Sequence, residues 1–259
     1  MRRLAEGRSA VTDEDAARYV DERGFTPLMR LSGCALPSIW EADSRESWEG
    51  FDITDGAWRW KETLPEAHRC AYGKFLRQRG FFVAWRMFPA FYTLYGPAGD
   101  SAGADDFADG LLGRMEMLVL TTIADLGPID SRRLWREVKR DFGGNRTRFE
   151  QALGILQAGF RVMVAGGDLT GWSLHRWDLV ERLVPLGLLD ELPSREGSRI
   201  DLLRQYVENT VVCTAREIAG FFRWDLRGTQ ALADREVEAG RLRLVEVEGW
   251  KGIWLSTAI

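Results

Sequence analysis

The chain of 259 residues holds only two histidines and three cysteines. His68 and His175 are too few and too far apart to suggest a zinc site or a histidine-rich reaction centre. Cys34, Cys70 and Cys213 are sparse and odd in number, without metal-type spacing, which implies reduced thiols in a cytosol. They read as small buried hydrophobes. No run of about 18 apolar residues occurs, and no apolar leader opens the chain, so the expectation is a cytoplasmic protein with no membrane contact. No cofactor or metal motif is present. A net charge of −4 removes any general attraction for a polyanion, so a basic face has to be local.

Tryptophan, by contrast, is abundant, with 11 residues spread along the chain. Most read as core. The densest cluster is "WRWKETLP" (58–65), where Trp58 and Trp60 flank Arg59 and Lys61 follows. As a strand, the stretch would put indoles on one face and cations on the other. As a helix, it would set Trp58 beside Lys61 at i, i+3. Either way, stacking rings next to cations suit a base or lesion pocket, to which Trp40 and Arg86 are added as candidates. The alternative is a tryptophan-rich core with cations reaching to its edge.

Two stretches of small and polar residues read as linkers, "GPAGDSAGADD" (96–106) and "LPSREGS" (192–198). They suggest an N-terminal region (1–95), a middle unit (106–191) and a C-terminal unit (195–259). The last two repeat one pattern. Each has an amphipathic helix (111–127; 199–210), a short segment, and a second helix starting near Ser131 or Thr214, the expected N-caps. A third helix (145–159; 225–240) ends at Gly159 or Gly240, followed by two strands around a tight turn. Trp172 and Trp254 fall on corresponding second strands. This is the order of a winged helix. The fold expected is mainly α with small β-hairpins, an α+β chain of tandem winged-helix domains. In the N-terminal region, 13–24, 37–44 and 66–80 read as helical, while "FFVAWRMFPAFYTLY" (81–95) fits strand or helix.

The middle unit carries the local basic face. Arg132, Arg133, Arg136, Lys139, Arg140, Arg146 and Arg148 stand against Asp130, Glu137 and Asp141. The third helix of a winged helix leads with its N-terminus into the major groove, where Arg146 and Arg148 lie. Double-stranded DNA is the expected partner. The C-terminal unit is nearly balanced, and its turn "EVEGWKG" is acidic. It reads as a packing module, open to a protein partner or a second copy. The middle turn, "AGGDLTG", lacks a cation for phosphate.

The stretches "LPSIWEA" (36–42), "WRWKETLPE" (58–66), "YGKFLRQRGFFV" (72–83) and "FPAFYTLYG" (88–96) resemble those of the AlkZ/YcaQ family of bacterial DNA glycosylases. They are most similar to a shorter AlkZ-related group. The resemblance implies tandem winged helices around a positive channel and a role in DNA repair. It also implies a Gln-x-Gln or Gln-x-Asp motif after the first helix, but here that place reads "GFTPLMRLSG" (24–33) and contains no glutamine. The C-terminal β-barrel of full-length members is likewise expected to be missing. The reading is therefore lesion or duplex recognition without the family's usual motif. The alternatives are a glycosylase using another carboxylate, with Glu41 and Asp43 as candidates beside Asp52 and Asp55, and a winged-helix regulator or protein-interaction scaffold.

Overall fold

The computed structural model describes residues 10–43, 56–97, 103–168 and 174–258. Asp52, Asp55 and Trp172 lie outside the described residues. Helix α1 (Asp13–Arg23) starts on a Thr12–Asp15 capping box and stops at Gly24, whose φ of 67° suits glycine. Strand β1 (Phe25–Pro27) and the short α2 (Ile39–Ala42) follow. Helix α3 (Gly56–Glu66) takes in the whole tryptophan stretch, so the strand alternative there does not hold.

Residues 66–80 are not helical. Strands β2 (Ala71–Leu76) and β3 (Arg79–Val83) form a hairpin across a two-residue turn in which Arg77 and Gln78 both have positive φ. Such a turn usually announces itself with Asn-Gly or Asp-Gly, and here that mark is missing. The apolar run 81–95 divides: its start completes β3, and its end is α4 (Phe88–Tyr95), opened by Pro89. Strands β1, β3 and β2 make one antiparallel sheet in that order.

Helix α5 (Ala104–Ala108) starts in the last residues of the first expected linker, and α6 (Arg114–Leu126) leads the middle unit. Strand β4 (Ile129–Asp130), α7 (Ser131–Val138), α8 (Arg146–Ala158), β5 (Val162–Asp168) and β6 (Leu174–Leu179) follow, with the sheet ordered β4-β6-β5. Helix α7 is capped by Asp130, which accepts from two backbone N–H groups, and not by Ser131. Helix α8 closes one residue later than expected: Gly159 keeps a negative φ and Phe160 takes the left-handed one.

After α9 (Val180–Leu183) comes α10 (Arg195–Thr210). It takes in half of the second expected linker. Ser194 accepts from Gly197 N–H at 3.0 Å, so its polar residues start a helix. Helices α11 (Ala215–Phe222) and α12 (Leu226–Glu238) and strands β7 (Leu242–Val245) and β8 (Trp254–Thr257) complete the chain. Thr214 caps α11 in a full capping box. Cys213 bridges to Leu255, as β4 pairs with β6 in the middle unit.

Two apolar cores hold these parts together. One joins α1, α3 and Phe82 to α6–α8 and the β4-β6-β5 sheet. The other joins Phe25, Phe81, Phe88 and Phe91 to Phe160 and to α10–α12. The N-terminal sheet thus contributes to both, and all three cysteines are buried. No helix among the described residues is long and apolar enough to cross a membrane.

Candidate functional site

Helix α3 buries Gly56, Ala57, Trp60, Leu64 and Pro65, and that apolar face carries Lys61 and Glu62 inward with it. Trp60 is 1% exposed and Lys61 2%. The Lys61 ammonium lies 4.4 Å from the centre of the half-buried Trp58 ring, as helical i, i+3 spacing requires. Lys61 Nζ donates to Glu62 Oε1 at 2.7 Å. Two of the expected pocket residues therefore belong to the interior. Burial lowers the lysine pKa, outweighing the opposing charge and hydrogen bond of Glu62.

Glu62 has no exposed surface. His175 on β6 meets it, with Nδ1 2.9 Å from the carboxylate. Burial raises the Glu62 pKa, but the His175 hydrogen bond and charge, and then Lys61, overcome it and hold it below the usual value. One turn along α3, Glu66 accepts from Arg176 at 2.5 Å. Gly167 makes room for this approach, because a β-carbon there would fall 2.1 Å from Glu62 Oε2. Gly166, at φ 124°, stands in the same way beside Glu66. Behind the imidazole, Trp177 donates to Ser131 Oγ at 2.8 Å, and Ser131 donates to the His175 carbonyl at 3.1 Å. His175 is thus hydrogen-bonded between the N-terminal region and the middle unit.

A cleft of about 620 Å³ opens beside this junction, lined by Glu66, Asp130, Arg132, Arg136, Gly167 and Arg176 among others. Arg132, Arg133 and Arg136 are exposed on α7, Lys139 and Arg140 on the turn after it, and Arg146 and Arg148 at the start of α8. Among the described residues, Arg146 alone of these seven has an acidic partner, Glu150 at 2.8 Å; it also lies over Trp135 and Phe149.

A family model for AlkZ-related proteins matches residues 11–223. The chain belongs to the AlkZ-related family. Its fold is similar to that of the Streptomyces sahachiroi DNA glycosylase AlkZ, with a TM-score of 0.54 at 12% identity. The match covers 96% of this chain and 65% of that one, so the chain spans just under two thirds of the enzyme's length. No curated protein matches by sequence.

In this AlkZ-related chain, the strand after α1 is closed to solvent. Phe25, Thr26 and Pro27 are all buried, and the Thr26 hydroxyl donates to the Pro37 carbonyl at 2.8 Å. The two candidate carboxylates are occupied locally. Glu41 accepts from Ser38 Oγ at 2.6 Å in the capping box of α2, and Asp43 accepts from Ala57 N–H at 2.9 Å. Arg86 is exposed and donates to the carbonyls of Asp21 and Glu22, closing the end of α1. Trp40 is half-buried against the first core. Glu62, Glu66, Gly166 and Gly167 were absent from the sequence reading as site residues. The available signals were Glu62 and Glu66 inside "WRWKETLPE" and a Gly-Gly pair inside a strand pattern, which marks close approach of other groups.

Proposed function

We propose that this AlkZ-related protein binds double-stranded DNA and recognises the duplex or a lesion in it. The supporting observation is the exposed set of seven cations on α7, the following turn and α8, six of them without an acidic partner among the described residues. Phosphate neutralisation is the interaction such a surface offers. In this reading, 106–191 and 195–259 are tandem winged helices following the N-terminal region 1–95. Helix α8 enters the major groove with Arg146 and Arg148 leading, while α7 and its turn hold the backbone. Such a partner implies a cytoplasmic protein. The hairpin β5–β6 is already packed on α3 through Glu62 and Glu66, so its strands serve as an internal support and not as a free wing.

Fluorescence polarisation with a labelled duplex, titrated across salt concentrations, tests the proposal. The expected result is binding that weakens as salt rises, with a log–log slope reduced by about 1 for each phosphate-contacting cation removed. Arg133→Ala and Arg148→Ala are the variants to compare. Absence of binding to intact and alkylated duplexes at low salt would overturn it.

A further inference from the structure

Helix α8 keeps two separate faces along its length. With a helical repeat of about 3.6 residues per turn, Phe149, Ala152, Leu153 and Leu156 fall on one side, and all four are buried. The opposite arc, roughly 100° wide by the same repeat, carries Thr147, Arg148, Gln151 and Ile155, all exposed. Arg146 and Glu150 lie beside this arc and pair with each other. The β2–β3 hairpin holds the flank of the C-terminal half. Gln157 accepts from the Lys74 N–H at 2.8 Å, and a β-carbon at Gly154 would fall 2.7 Å from Gln78 Oε1. Arg148, Gln151 and Ile155 border an open hollow of about 570 Å³ beside the start of α6. The composition of the outward arc separates it from α7. Phosphate neutralisation calls for cations, and α7 and its turn carry those. The arc of α8 instead offers one cation, an amide, a hydroxyl and an isoleucine left 46% exposed. These are the groups that tell bases apart in the major groove. Glutamine matches adenine with two hydrogen bonds, arginine matches guanine, and apolar or threonine methyl groups meet the thymine methyl. From Thr147 to Ile155 the helix rises about 12 Å at about 1.5 Å per residue. That equals about three to four base steps at about 3.4 Å each.

We infer that this protein reads DNA sequence directly, with Gln151 meeting the major-groove edge of an adenine and Ile155 the methyl group of a thymine. Thr147 and Arg148 complete the reading face. The preferred partner is therefore a duplex defined by about four base pairs that include an A·T pair at the Gln151 position. This rests on the DNA-binding reading above, and adds base recognition by α8 to backbone contact by α7. The β2–β3 hairpin sets how α8 is presented, because Gln157 and Gly154 hold its flank while its outward arc stays free.

The experiment selects binders of the full chain from a pool of duplexes with a randomised central stretch, then measures affinity for the enriched duplex by fluorescence polarisation. The expected result is enrichment of one short motif containing an A·T pair. Replacing that adenine by 7-deazaadenine, which lacks the N7 acceptor, should weaken wild-type binding but leave Gln151→Ala unaffected. Gln151→Ala should lose about 5- to 150-fold of the discrimination at that position. Its binding to unrelated duplexes and its salt slope should match the wild type, because no charge is removed. Gln151 is exposed on a helix, so alanine there leaves the core intact. Wild-type protein that binds duplexes without enriching any motif would overturn the inference and leave the DNA reading standing. Failure to bind any duplex would remove both. A motif whose discrimination survives Gln151→Ala unchanged would overturn the assignment of Gln151 as reader.

Discussion

Gly167 lies so close to Glu62 that the carboxylate occupies the space where its side chain would be. An α-helix and a hairpin strand meet there through a charge that neither could bury alone. Gly167→Ala should push Glu62 away and loosen α3 from β5–β6, at a cost of about 1–3 kcal/mol. A lowered thermal midpoint is expected; a wild-type melting curve would show that the glycine is not required for this contact.

Lys61 and Glu62 are both buried and bonded to each other, so removing one takes a charge partner from the other in the interior. Glu62→Ala should cost about 3–5 kcal/mol, because the buried ammonium loses the Glu62 charge beside it. Replacing the pair together with Lys61→Met and Glu62→Leu should recover much of that stability. Urea denaturation of the two single variants and the double variant checks this, and additive losses would contradict the coupling.

Much of the fold was legible from local signals. Gly24 marks the end of α1, Thr214 caps α11, and the recurring order of helices and strands in the last two units follows from their periodicity. The β2–β3 hairpin was not legible, because its turn uses Arg77 and Gln78 in a left-handed conformation that those residues seldom adopt. The site was hidden for a different reason. A charged residue on a helix usually faces water, and what buries Glu62 comes from His175 and Gly167, distant in sequence. The Trp58–Lys61 contact was legible as spacing, but its burial was not.

Glu236 ties α12 to Arg204 on α10 and to Arg241 before β7. The Arg241 hydrogen bond, with Arg204 adding to it against the opposing effect of burial, brings the Glu236 pKa down to about 2. A carboxylate lowered on folding stabilises above its ordinary value and loses that contribution as pH falls through its folded value. Stability should therefore drop between about pH 4.5 and 2. Glu236→Gln should flatten that part of the curve, as read from denaturation midpoints across acid pH.

Phe160 stacks on Phe75 at 4.5 Å and adjoins Phe88 at 5.4 Å, although it follows a helix of the other core. Phe160→Ala should cost about 3–5 kcal/mol. Because the side chain connects the N-terminal sheet to the core of α10–α12, calorimetry should show the loss as a shift of a single transition. Separation into two transitions would mean that the cores melt independently.

The contact between α3 and β5–β6 also limits how the chain can vary. Glu62 requires His175 as a partner and a glycine at 167, and Glu66 makes the corresponding demands on Arg176 and on Gly166. A change at any one of these positions should cost less stability when it is matched by a change at its partner. Positions 113 and 110 residues apart are thereby energetically coupled, and paired substitutions across the contact should give non-additive stability changes.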